Sequence, residues 1–409
     1  MKTLIGVALS ALLVACGGGG GGSTSTSNAA QSALTISTAP ISVSSYLNTK
    51  ELSTYSADFP NISGPGIPEF NSLAYSFFRY PDGTEGAFTN VVIYDTATQT
   101  PATASPARMT FWARVNGTWT SRNLVDSASV PNCIHPRKSL PADYNGDGVM
   151  DFVLACHGWD TAPLFPGERN RVVLSQPNGK YRVEYFNTDV GFWHGGASQD
   201  FNGDGYPDVA LTDSRTVSVY LNNGHGQFGA RSTDYTITIN NQQHYSLELV
   251  DVDRDGRFDV VIGGHEFSGM PTTIIYNPGN NRFAGARAQV IPAIPGAGVV
   301  LDFTYSAETD SIYIVRTGDG WGAESVPCNR VWTNDGLTWF TPPDCSHASF
   351  YNGVLIQRYS LSSRMSSVVF SQLPWTDPRN SWPWLPWSRI RNGRLNSDWG
   401  TAISTIINI

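Results

Sequence analysis

Three nine-residue segments of this chain read as copies of one another: Asp143-Tyr-Asn145-Gly-Asp147-Gly-Val149-Met-Asp151, Asp200-Phe-Asn202-Gly-Asp204-Gly-Tyr206-Pro-Asp208 and Asp251-Val-Asp253-Arg-Asp255-Gly-Arg257-Phe-Asp259. Their starts lie 57 and 51 residues apart. Self-similarity at such a period is the mark of a supersecondary unit repeated side by side, not of one irregular domain. A further step of 51 residues reaches Asp302-Phe-Thr304-Tyr-Ser306-Ala-Glu-Thr-Asp310, which keeps the first and ninth acids without the Asp-Gly turn. That copy is expected to be a unit without an ion. Weaker echoes lie at Arg79-Tyr-Pro-Asp82-Gly83 and at Arg358 to Phe370.

Each loop is followed by a short apolar run (Phe152-Val-Leu-Ala, Val209-Ala-Leu, Val260-Val-Ile, Ile312-Tyr-Ile-Val), which reads as a buried strand. A second series of turns runs through the same stretch: Asn116-Gly117, Asn178-Gly179, Asn223-Gly224, Pro278-Gly279, Asp335-Gly336 and Asn392-Gly393. Asn-Gly and Asp-Gly suit two-residue hairpins because both central positions take positive φ. Two hairpins per period make a four-stranded antiparallel blade, and radial repetition of blades makes a β-propeller. The composition agrees with an all-β class, with 40 Gly, 25 Pro and only 15% charged residues. Six blades are countable between residues 70 and 396; residues 33–60 and 401–409 would add a seventh, composite blade if they pair. The aromatic residues after the second turns, Trp119, Tyr181, Phe228, Phe283 and Trp339, recur in phase and are expected to pack between blades.

The acidic loops suit a hard divalent cation. Ca²⁺ takes six to eight oxygens, and a turn offering side-chain oxygens at positions 1, 3 and 5, a carbonyl at 7 and a late carboxylate encloses it. The expected ligands are Asp143, Asn145, Asp147, Val149 and Asp151; Asp200, Asn202, Asp204, Tyr206 and Asp208; and Asp251, Asp253, Asp255, Arg257 and Asp259, with Val149, Tyr206 and Arg257 contributing carbonyls. Three such ions would take the formal charge of −8 to about −2. The acidic balance also argues against nucleic acid as a partner, since phosphate binding needs clustered Lys and Arg.

The three loops, with His135-Pro-Arg-Lys before the first and Pro166-Gly-Glu-Arg-Asn170 after it, resemble bacterial VCBS/FG-GAP repeat proteins, which share their fold with the integrin α-subunit propeller. The resemblance implies Ca²⁺ in the loops that join the first and second strands of blades. It implies no single activity, because one fold hosts many functions. Lys2, the apolar run Leu4 to Val14 and Leu13-Val14-Ala15-Cys16 resemble a bacterial lipoprotein signal with its lipobox, Cys16 being the lipidated residue. The expected organisation is a signal at residues 1–16, a flexible Gly/Ser/Thr tether at 17–32 and a single propeller at 33–409. The protein would sit at the bacterial cell envelope, held to the outer membrane by its lipid anchor alone. Four cysteines remain, and Cys133 with Cys156 and Cys328 with Cys345 is the favoured of three pairings.

Counting register outward from each acidic loop places His244 opposite His265, His194 opposite Asp213, and His135 within one residue of His157. Five of the seven histidines thus gather at the strand ends away from the loops. Trp159, Asp160, Trp193, Tyr245, Glu266, Arg316, Asp319 and Trp321 belong to that end too. The expected ligand-binding set is His135, His157, His194, Asp213, His244, His265, Glu266 and Arg316, for a glycan or a protein. The alternative is a polysaccharide lyase using His194, His244 or His265 as base, although no standard catalytic motif is present. The Trp-rich stretch from Trp375 to Trp387 has no assigned role.

Overall fold

The computed structural model describes residues 73–160, 165–213, 215–233, 235–238, 244–266, 270–279, 282–283, 285–294, 297–306, 309–317 and 354–371. It also describes the backbone of short strands at 35–37, 54–56, 331–332, 339–340, 388–391, 394–399 and 402–408. Cys16, Asp319, Trp321, Cys328, Cys345 and the Trp375 to Trp387 stretch lie outside the described residues.

The acidic repeats do what their turn chemistry requires. In the second blade, Pro136–Ala142 and Asp151–Cys156 pair antiparallel across the first acidic loop, followed by Glu168–Ser175 and Tyr181–Gly191. The third blade repeats this order with Gly195–Gln199, Asp208–Thr212, Thr216–Tyr220 and Thr236–Thr238. The fourth has His244–Val250, Asp259–Gly264, Thr273–Ile275 and Arg287–Val290, with Thr35–Ser37 adding a parallel fifth strand outside it. The first blade, Leu73–Arg79 to Thr118–Arg122, has the same four-strand meander without an acidic nonamer. The Asn116-Gly117 turn has φ of 52° and 80°, as its hairpin needs.

Among the described residues five blades follow one another, where the sequence suggested six or seven. The miscount has a local cause. Arg358 to Phe370 looks like the start of another unit, but Val354–Ser360 and Ser366–Ser371 are the third and fourth strands of blade five, after Val299–Ser306 and Ser311–Thr317. The long segment between the second and third strands made one blade look like two. A separate four-stranded sheet joins Thr54–Ser56 to Ala402–Asn408, Arg394–Trp399 and Ser388–Arg391.

Asp302 is likewise not the first residue of a loop. It lies within Val299–Ser306, fully buried, and its Oδ1 accepts from Lys138 Nζ at 2.8 Å. Lys138 belongs to the first strand of blade two, so the pair joins two non-adjacent blades across the space enclosed by their first strands.

The core is distributed between blades. Separate apolar clusters fill the one-two, two-three, three-four and four-five interfaces. The second strands of blades two, three and four are buried along their whole length, which explains their continuous apolar sequences. Three of the in-phase aromatic residues pack backward onto the preceding blade: Tyr181 stacks on Phe111 at 4.3 Å, Phe228 on Phe186 at 4.3 Å, and Phe283 lies 5.8 Å from Phe201. A disulfide joins Cys133 to Cys156.

Candidate functional site

The two ends of the blades are chemically unlike. At one end lie the acidic loops, with closely similar hydrogen bonds in the three copies. In the first, Asp143 accepts from Gly146 N at 2.8 Å, Asp147 N at 3.1 Å and Gly148 N at 2.8 Å. In the second, Asp200 accepts from Gly203 N, Asp204 N and Gly205 N at 2.8 to 3.0 Å. In the third, Asp251 accepts from Asp255 N and Gly256 N. The sixth residue, Gly148, Gly205 or Gly256, has φ of 81°, 92° or 85°, which a side chain would strain.

The ninth acid has a second task. Asp151 Oδ2 accepts from the N–H of Tyr144 and Asn145, while its Oδ1 accepts from Ser175 N at 2.7 Å, at the end of the third strand. Asp208 repeats this with Phe201, Asn202 and Asn222, and Asp259 with Val252 and Asn277. Each is fully buried, and burial raises its pKa, to about 6 for Asp151 and Asp208 and about 7 for Asp259. The ninth residue therefore fastens the loop to the blade in addition to any ion it holds.

Every carboxylate oxygen of the first two loops already accepts a hydrogen bond, so a hard cation there would share these oxygens with the turn. In the third loop, ligand atoms of Asp251, Asp253 and Asp259 lie within 4.8 Å of one another. That loop differs from the others in its arginines. Arg257 pairs with Asp255, Arg287 lies 3.4 Å from Asp253, and Arg254, itself at φ 62°, pairs with Asp310 of the next blade. The backbone N–H groups of Val149, Tyr206 and Arg257 donate to the fifth-position carboxylates Asp147, Asp204 and Asp255.

At the other end, strand register brings histidines from three blades together. His157 N donates to His135 O at 2.8 Å, so these two rings flank the ends of blade two. Gly195 pairs with Thr212 in the register counted from the second loop, but His194 N also bonds Thr212 O, one residue short of the expected Asp213. In blade four the count slips by one: a bulge between His244 and Ser246 pairs His244 with Gly264 rather than His265. The rings nonetheless form a continuous arc. Centroids are 5.0 Å apart for His135 and His157, 4.0 Å for His157 and His194, 4.2 Å for His194 and Tyr245, and 4.6 Å for Tyr245 and His265. Tyr94 extends the arc into blade one, stacking on Trp159 at 4.8 Å and meeting His135 Nδ1 through its hydroxyl at 3.2 Å.

Burial keeps these imidazoles neutral. His135, His157 and His194 are held well below the usual histidine pKa, first by burial and then by neighbouring positive charge, Arg137 included. His244 and His265 are lowered to about 3 by burial alone. Glu168, with its pKa pushed up to about 7 by burial, accepts the backbone N–H of Ile134 and His135 and so fixes the approach of His135. Gly158, between His157 and Trp159, has φ of 87°, and a Cβ there would meet Pro166 O at 2.3 Å, so only glycine permits this loop.

Four residues expected at this end are otherwise engaged. Asp213 accepts from Thr216 and from Arg231 at 3.0 Å, closing its own turn. Glu266 and the fully buried Arg316 form a two-pronged ion pair at 2.8 and 3.0 Å, and Arg316 also donates to Gln357 at 2.6 Å. Trp193 is buried beneath Arg231 and donates to Glu168 O. In their place the structure supplies Tyr94, Arg137, Glu168 and Phe192, whose ring centroid lies 3.5 Å from that of His157. Arg137 and Glu168 stand in segments singled out beside the first loop. Tyr94 lies between the second and third strands of blade one, which has no acidic nonamer, so no register count could reach it.

Residues 200–262 match the FG-GAP-like repeat family, over the second and third acidic loops and the strands between them. With the four-stranded blades described above, the match supports a β-propeller that carries an FG-GAP-like repeat over this segment. Among solved structures, the chain is similar to a lectin of Agrocybe aegerita described as recognising non-reducing terminal N-acetylglucosamine, at 18% identity and a TM-score of 0.32. That likeness covers 53% of this chain and 66% of the lectin and carries no functional argument. No curated protein matches the chain.

Proposed function

We propose that this protein is an exported, lipid-anchored, calcium-binding propeller that holds a glycan or protein ligand at its histidine end. The observation that carries the reading is the arc of rings from Tyr94 to His265, drawn from four blades and unlike in each, above loops that repeat. Repetition suits a structural ion. A non-repeating cluster of aromatic faces and imidazoles suits recognition of one particular ligand.

Calcium is the ion that the acidic loops fit. Asp143, Asn145 and Asp147, Asp200, Asn202 and Asp204, and Asp251, Asp253 and Asp255 would supply the side-chain oxygens, with the ninth acid beside them. Bound calcium would tie each first-to-second strand connection to its blade. The N-terminal signal and Cys16 would carry the domain to the cell envelope and hold it there.

The test has two arms. Melting is measured in excess Ca²⁺ and in chelator, and the calcium assignment is withdrawn if the two temperatures agree. The calcium-loaded protein is then screened against neutral and acidic polysaccharides and against envelope protein extracts. Saturable binding without turnover supports the reading; products with the ultraviolet absorbance of unsaturated sugars would instead establish a lyase; neither result would leave the propeller a scaffold.

A further inference from the structure

Within the histidine arc, one group of side chains is arranged for more than stacking. His135, His157 and Asp160 each offer a ligand atom, and the three atoms lie within 4.8 Å of one another. His157 Nδ1 is 3.7 Å from Asp160 Oδ2. His135 Nε2 and His157 Nδ1 are both buried ring nitrogens with no hydrogen-bond partner among the described residues. Both residues are wholly buried, whereas the Asp160 side chain is 26% exposed, which leaves an entry route on its side.

The remaining ring nitrogens fit a single tautomer for each histidine. If His135 Nε2 is a lone-pair donor, its Nδ1 carries the proton and donates to the Tyr94 hydroxyl at 3.2 Å. That hydroxyl oxygen also accepts the backbone N–H of Asp160 at 3.4 Å. If His157 Nδ1 is a lone-pair donor, its Nε2 carries the proton and donates to His194 Nε2 at 2.6 Å. Such outer partners are how proteins fix the ring orientation and basicity of metal-bound histidine. Glu168 adds a further constraint by holding the backbone N–H of His135 at 3.3 Å.

We infer that His135 Nε2, His157 Nδ1 and Asp160 Oδ2 form a site for one divalent transition metal of the zinc class. Two imidazoles and a carboxylate are a borderline donor set, which suits zinc-like ions and not Ca²⁺, whose ligands are all oxygen. Three protein ligands leave a fourth position open, as in sites that bind an outside group. Arg137, whose charge bears on both rings, makes an anionic group the natural occupant of that position. The inference deepens the reading of this end as a binding face and rests on it for its purpose, but the metal can be measured without any ligand.

The probe is Co²⁺ alone, added to the full chain saturated with Ca²⁺. The expected result is one equivalent bound, with the visible absorption of a four-coordinate N/O cobalt site, displaced by Zn²⁺. Asp160→Asn, a change at the part-exposed edge, should weaken cobalt binding at least tenfold without altering the melting curve. Tyr94→Phe should weaken it by about 10–100-fold through loss of the outer partner, and His135→Gln should abolish the absorption. His225→Gln, an exposed histidine outside the group, should leave it unchanged. Absence of saturable cobalt absorption in the folded protein overturns the inference, as does absorption that Asp160→Asn and Tyr94→Phe both leave intact. A polysaccharide that still binds under either of those outcomes would preserve the binding face while removing the metal from it.

Discussion

The acidic end of the propeller repeats and the histidine end does not. In blades two, three and four the first acid caps the same turn and the ninth acid ties loop to third strand with the same donors. At the opposite end, blade two gives His135 and His157, blade three gives His194, blade four gives His244 and His265, and blade one gives Tyr94. A feature needed by every blade is copied with the blade. A feature that serves the molecule once has to be assembled from different residues of each.

That contrast is open to attack, and the largest effect should come from the repeated end. If the loops hold calcium, each site at about a hundred times its dissociation constant adds about 2.7 kcal/mol, and three independent sites about 8 kcal/mol. Chelation should therefore lower the urea midpoint strongly. Calorimetric calcium titration should show the third loop weaker than the other two, because Arg257 and Arg287 already pair with its carboxylates.

Between the ends, the buried Lys138 and Asp302 pair should be the next most sensitive point. Lys138→Met leaves a buried carboxylate without its cation and should cost about 3–5 kcal/mol in denaturant unfolding, whereas Lys138→Met with Asp302→Leu should recover most of that. If the double change is as damaging as the single one, the pair is not what joins blades two and five.

The histidine end should be recognised by its response to acid. Burial lowers His244 and His265 to about 3, below the usual value of about 6.5. The unfolded chain therefore binds more protons than the folded one in that window. Stability is fully present above pH ~6.5 and is lost as pH falls toward 3, by up to about 1.4 kcal/mol per pH unit for each residue. His244→Phe should flatten the acid limb of a stability-against-pH curve; an unchanged limb would mean that His244 is not buried neutral. The smallest effect is expected at Asp213, whose pairing with Arg231 is partly exposed. Asp213→Ala should cost about 1 kcal/mol or less in thermal melting and leave ligand binding unchanged.

Much of the repeated end was legible because its chemistry is local. A glycine at positive φ, an aspartate capping a turn a few residues on and an apolar strand next door all lie within one short stretch of sequence. The ring-bearing end was legible only as far as antiparallel register carries. The count holds in blade three as far as Gly195 and Thr212, where no bulge intervenes, and slips by one at His265, where the bulge at Tyr245 adds a residue that no hydrophobic pattern reveals. Arg316 and Glu266 lie near that end, but their charges meet each other first.

By itself, the sequence determined the four-stranded unit, its acidic loops and the all-β class, because turn geometry and strand alternation are written over neighbouring residues. Only the tertiary structure decided that Arg358 to Phe370 completes blade five, that Asp302 faces Lys138, and that Tyr94, His135, His157 and Asp160 meet. Those outcomes depend on which distant segments share an interface. Burial, and not local propensity, then selects the partner of each polar group.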